Sequence, residues 1–227
     1  MNDTSSTGVN GTMNTDAPQC AKKSRGRPKV FDREAALDKA MTLFWQHGYE
    51  ATSLSDLVEA TGAKAPTLYA EFTNKEGLFR AVLDRYIARF AARQEAELFG
   101  SDKTLAQALA DYFSAVASCF TSNDTPAGCF IITTSAGLAA SSEQVACTIK
   151  ARHAMQEQTL VRFLDERQQR GELPGDCDTQ GLARYLACLL QGMSVSAREG
   201  ACFDTLHKVA DTTLHILPEL IQAYRPR

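Results

Sequence analysis

Three sets of side chains in this sequence have the types and spacing to do chemistry. The first is a run of cations: Lys22, Lys23, Arg25, Arg27, Lys29 and Arg33, opposed between Cys20 and Arg33 by Asp32 alone. Clustered charge of this sign attracts phosphate even though the whole chain carries a net charge of −3. The second is Lys75, which falls in the first turn of a helix, where the macrodipole disfavours a cation. A phosphate docked beside the free N–H groups of that turn would explain it. An ordinary exposed lysine, at a cost of only about a few tenths of a kcal/mol, would too. The third set is the thiols, at positions 20, 119, 129, 147, 177, 188 and 202. Their odd number, with no Cys-x-x-Cys pair, reads as reduced thiols in a cytosolic protein. Cys129 is the redox candidate. If Asp124 or Thr125 caps a helix that starts at Pro126, the helix end lowers the thiol pKa and makes it reactive. Otherwise Cys129 is a small buried hydrophobe. No motif pairs a nucleophile with a base, and His153, His207 and His215 are scattered. Neither an enzyme, nor a metal site, nor a cofactor is expected.

These groups need elements to hold them, and the stretch from Thr52 to Lys75 gives the clearest. Thr52 or Ser53 can cap a short helix, with Asp56 at its positive end. Leu54, Leu57 and Val58 share one face. Gly62 suits a left-handed helix end, and Pro66 the first position of a second helix. Leu68 and Phe72 make that helix's buried side, and Tyr69 points away from them. A short helix, a glycine turn and a second short helix form the unit whose second helix enters the DNA major groove. Ahead of it, Asp32 caps a helix with Leu37, Ala40, Met41 and Phe44 as its apolar stripe. Trp45 and Tyr49 complete a small core, and Gly48 stops the helix. Behind it, Thr73 or Asn74 caps a long helix, Thr73 and Glu76 being spaced as a capping box. Leu78, Val82, Tyr86 and Phe90 continue its apolar face.

Thr52, Leu57, Gly62, Thr67, Leu68, Tyr69, Phe72, Lys75 and Leu78, after a first helix ending Phe44-Trp45-Gln46-His47-Gly48-Tyr49, resemble the tetracycline-repressor (TetR) family of bacterial transcription regulators. Beyond about residue 90 the resemblance is one of length and helical pattern. It implies an all-α fold: a disordered tail with a basic arm (1–28), a three-helix DNA-binding domain (29–80) and a larger effector-binding and dimerisation domain (81–227). By resemblance, Lys64, Ala65, Pro66 and Thr67 face the bases, while Thr52, Tyr69 and Lys75 meet phosphates. Ala65 departs from the polar cap expected there and leaves one helix end without a side-chain acceptor. The implied partners are double-stranded DNA with a palindromic operator, a second copy through the last two helices, and a small-molecule effector that releases a repressor.

The rest of the chain fits this frame. Residues 1–21 have almost no apolar content and read as disordered. The Arg25-Gly26-Arg27-Pro28 core of the arm resembles the AT-hook, which lays arginines in narrow minor grooves; a solubilising tail is the plainer alternative. A hydrophobic fraction of 44% suits a globular core. Helices are expected from about Thr104 to Phe120, Ser142 to Arg170, Asp178 to Arg198 and Cys202 to Tyr224, the last bent or broken by Pro218. Gly128 to Leu138 is helix or strand by local pattern, and its helical surroundings favour helix. Leu182 to Val195 is too short to span a bilayer and contains Arg184. With no basic start and apolar core for a signal peptide, a cytoplasmic, nucleoid-associated protein is expected. Tyr112, Phe113, Cys119, Phe120, Phe130, Met155, Tyr185 and Met193 are candidates for a pocket lining or for plain core. The rival readings are a regulator sensing oxidants through Cys129, and a non-specific architectural DNA binder using the arm.

Overall fold

The computed structural model describes residues 31–100, 102–135 and 143–226, and every regular element among them is helical. Arg25 and Arg27 lie outside these residues. The head comprises α1 (Arg33–Ala51), α2 (Leu54–Thr61) and α3 (Ala65–Phe72). A continuous helical run follows: α4 (Lys75–Tyr86), a π-helical turn (Ile87–Ala91) and α5 (Ala92–Leu98). The boundary expected near residue 80 falls inside this run, and Phe31–Arg227 make one compact unit. The body holds α6 (Leu105–Phe120), α7 (Phe130–Ser135), α8 (Glu143–Gln169), α9 (Thr179–Arg198), α10 (Phe203–His215) and α11 (Leu217–Ala223). Pro218 stands at the start of α11, so the last expected helix is broken at Ile216.

Caps place the head helices. Asp32 accepts from the Ala35 N–H at 3.0 Å. Ser53 and Asp56 form a reciprocal capping box on α2. Gly62 closes α2 at φ 69°, a conformation that glycine adopts without a Cβ penalty. The expected Thr73–Glu76 box is not formed. Asn74 is the cap of α4, accepting from the Gly77 N–H at 2.8 Å. Thr73 instead ends α3 at φ 70°, and the Glu76 carboxylate pairs with Arg80. The short polar chain one residue later is better placed over the first turn, and sequence spacing alone does not separate the two.

The head core does not end at the head. Phe44 and Trp45 of α1 meet Phe79 and Tyr86 of α4 edge to face, with centroids 5.2 and 5.3 Å apart. Phe130 of α7 completes the cluster, 5.9 Å from Trp45 and 5.4 Å from Tyr86. On the outer side, Arg85 grips Asp38 through two hydrogen bonds of 2.6 and 2.8 Å, and Arg89 adds a third at 3.2 Å. The first helix is therefore pinned to the connecting run from both sides.

Candidate nucleic-acid interface

The surface that could meet DNA is the start of α3. Leu68 and Phe72 are buried beneath it with Leu57 of α2. The Thr61 hydroxyl donates to the Leu57 carbonyl at 2.7 Å and accepts from the Ala63 N–H at 3.2 Å, which shapes the turn between the helices. Arg33, counted with the basic run, is spent on this packing: it binds Glu71 at 2.7 Å and lies over the Phe72 ring. What remains outward is Lys64, Pro66 and Tyr69, with Ala65 and Thr67 half-buried between them. Lys64 occupies the cap position, with Ala65 first in the helix and Pro66 second, one place later than expected. No side chain caps this end, so its positive pole faces outward beside the Lys64 ammonium.

Of the residues expected at phosphates, Tyr69 and Lys75 reach the surface. Tyr69 is 45% exposed. Lys75 is half-buried, with Nζ 4.3 Å from the centre of the Tyr49 ring. Burial pulls the Lys75 pKa down, against the charges of Glu50 and Asp56. Its ammonium is thus pre-positioned at the first turn of α4 rather than free in solvent. Thr52 differs. It is 1% exposed, and its hydroxyl donates to the Gly48 carbonyl at 2.7 Å. A direct phosphate contact has no exposed hydroxyl to rest on; Thr52 fixes the α1–α2 corner instead. Its position before the Ser53 cap gave no hint of that burial.

Comparison with known proteins bears directly on this geometry. Residues 36–82 match the model of the bacterial regulatory proteins of the tetR family, and residues 106–210 match a tetracyclin repressor-like C-terminal domain. The HTH-type transcriptional repressor ComR of Escherichia coli (strain K12) is 68% identical over 210 residues, covering 92% of this chain and 100% of ComR. The chain belongs to the TetR family. A second relative, the transcriptional repressor BdcR of the same organism, is 28% identical over 82% of this chain and 89% of its own. Among solved structures, a cysteine-substituted TetR-family regulator, CifR, complexed with 26 bp double-strand operator DNA, superposes with a TM-score of 0.77 at 31% identity. That match covers 83% of this chain and 98% of CifR. Like other TetR-family members, this protein is a helix-turn-helix DNA-binding regulator.

The TetR body carries a second candidate site, a cavity of about 70 Å³ bounded by the connecting run, α6, α7 and α8. Tyr112, Phe120 and Met155 of the expected lining reach it, with Tyr86, Glu95 and Cys129. Phe113, Phe130 and Met193 are buried core, and Cys119 lines a neighbouring cleft. Tyr185 lies on α9, half-buried against the core. Sequence reasoning passed over Tyr86, which is both a cavity wall and, through Trp45, part of the head core.

Cys129 corrects an expectation. Neither Asp124 nor Thr125 caps α7; the helix starts at Phe130, and the Cys129 carbonyl accepts its first bond, from Thr133 at 2.9 Å. Cys129 is only 5% exposed, its N–H is held by Ser194 Oγ at 2.8 Å, and its thiol lies 3.4 Å from the Tyr86 hydroxyl. Burial raises the thiol pKa and outweighs the lowering by the Tyr86 hydroxyl and the N–H groups of Ile131 and Ile132. The premise of a thiol activated by a helix end fails on desolvation.

Proposed function

We propose that this protein is a homodimeric transcriptional repressor that binds a palindromic operator and leaves it when a small molecule enters the body. The observation that carries this reading is the uncapped, outward start of α3, with Lys64, Pro66 and Tyr69 exposed over a rigid core. Lys64 would donate to guanine, and the Pro66 ring and Thr67 methyl would touch thymine methyls. Tyr69 and Lys75 would set the register on phosphates, and Arg25 and Arg27 would add minor-groove contact. One short helix reads too few base pairs, so two heads are needed. The last helices leave apolar side chains uncovered for a second copy: Val195 on α9, Val209 on α10 and Ile216 just after it are 48%, 40% and 38% exposed. The names of ComR and BdcR favour repression. Release is supported by the wall shared between the cavity and the head, Tyr86 set edge to face against Trp45. The action is by binding, not catalysis, on chromosomal DNA in the cytoplasm.

The test is selection of fragmented bacterial genomic DNA on the purified protein at near-physiological salt. A palindromic site weakened by Thr67→Ala and Tyr69→Ala supports the reading. Recovery of A·T-rich DNA without symmetry would favour the architectural alternative, and no enrichment by folded protein would refute it.

A further inference from the structure

The lysine expected at phosphate, Lys75, is not held by an acid. Asp56 accepts from the Ser53 N–H at 2.7 Å, and Glu76 pairs with Arg80. Glu50 and Asp56 reach Lys75 as nearby charges, and no ion pair among the described residues includes it. What holds the ammonium is an aromatic ring: Nζ lies 4.3 Å from the centre of Tyr49. A cation within about 6 Å of a ring face is attracted by the ring's quadrupole. That ring is itself fixed. It stacks on Phe44 with centroids 5.9 Å apart and meets Phe79 edge to face at 5.0 Å. The backbone that carries it is fixed too. Gly48 turns the chain at φ 83°, a conformation that favours glycine, and the Thr52 hydroxyl closes on the Gly48 carbonyl at 2.7 Å.

A lysine has a long flexible stem and loses rotamer freedom when its ammonium is fixed. Fixing it only when DNA arrives would cost affinity. Over Tyr49 that freedom is already reduced in the folded protein. A ring face also attracts the ammonium without neutralising it, and leaves its outward N–H groups free to donate. An acid in the ring's place would cancel the charge that a phosphate contact needs. We propose that Tyr49 is a positioning residue for operator binding, whose ring holds the Lys75 ammonium ready for a backbone phosphate. This rests on the reading of Lys75 as a phosphate contact and names the residue that prepares it.

The experiment uses the full-length protein and the palindromic duplex recovered by the genomic selection, with affinity read by fluorescence anisotropy. Tyr49→Leu keeps an apolar side chain but removes the ring. It should weaken binding about tenfold, or about threefold for each head. Tyr49→Phe keeps the ring face and should bind within about twofold of the wild-type protein. In a Lys75→Gln background, Tyr49→Leu should change affinity by less than about twofold, because the group it positions is gone. Equal weakening by Tyr49→Leu in both backgrounds would overturn the proposal, since a ring that only supports the head core acts whether or not the lysine is present. Tyr49→Phe as weak as Tyr49→Leu would overturn it too, by making the phenol hydroxyl the active group. Nuclear magnetic resonance of the free wild-type protein keeps the claim testable if Tyr49→Leu does not fold. The ε-methylene protons of Lys75 should lie upfield of those of the other lysines, shifted by the ring, and coincidence with them would refute the stack. The salt dependence of Lys75→Gln separates the two claims. A reduced slope without coupling to Tyr49 would keep the phosphate contact and refute its positioning, whereas an unchanged slope would remove the contact and the proposal with it.

Discussion

Lys75 offers a quantitative test of the DNA-contact assignment, through Lys75→Gln. The folded protein should hardly notice the change. Removing a cation from the first turn of α4 relieves about 0.3–1 kcal/mol of unfavourable dipole interaction. Losing the ammonium over the Tyr49 ring, 4.3 Å from its centre, costs about 0.5–1 kcal/mol at a half-exposed site. The two nearly cancel, so the urea midpoint should stay almost fixed. DNA binding should change in a specific way. Each phosphate contact contributes about 0.9 to the slope of log affinity against log salt, so two heads should lose about 1.8. The weakening should be uniform across operator variants, because a phosphate contact carries no base information. Fluorescence anisotropy titrations at several salt concentrations measure both quantities. An unchanged slope, with stability intact, would mean that Lys75 is a ring-stacked lysine that never meets DNA.

Five further outcomes are expected. Gly77→Ala should destabilise the head by about 2 kcal/mol or more in urea unfolding, because a Cβ there would overlap the backbone carbonyl of Phe72. Arg167, 2% exposed, binds the Lys103 carbonyl at 2.5 Å and Glu172 at 2.8 Å; Arg167→Ala should cost about 3–5 kcal/mol. Glu172 is held below its usual 4.5, chiefly by Arg167, so its contribution is present above that value and is lost as pH falls through the depressed folded value. Glu172→Gln should flatten this acid limb of stability. In thiol titration near neutral pH, Cys202, lowered by Thr205 and fully at the surface, should react first and Cys129 last. Val195→Asp should shift sedimentation toward monomer without unfolding the chain.

What was legible in the sequence was what local chemistry decides. Asp32, Ser53, Gly62 and Pro66 mark helix ends by their own backbone preferences, and Leu57, Leu68 and Phe72 fall inward by periodicity alone. Asp32, Ser53 and Gly62 stand at the ends expected, Pro66 one position later than expected, and the all-helical body follows from the same patterns. The illegible features depend on contacts distant in sequence. Burial of Thr52 is settled by the bend at Gly48, where φ is 83°. Arg167 lies in a charged stretch of α8 and reads as solvated. It is buried because the carbonyls of Leu98 and Lys103 converge on it. The π-helical turn has no sequence signature, yet Ile87 and Ala91 bring it to the cavity wall. Phe130 was a candidate lining residue and proved to be the link between body and head, since its partners come from α1 and α4.

The central claim, two α3 helices reading one palindrome from one face of DNA, is tested most directly by spacing. Once the site is selected, about five base pairs inserted at its centre turn the half-sites to opposite faces of a duplex that repeats every ~10.5 base pairs. Dimeric readout predicts that affinity falls by about a thousandfold or more, toward the non-specific level. Affinity within about threefold of the original would contradict it, because heads fixed in one dimer cannot follow both half-sites around the helix.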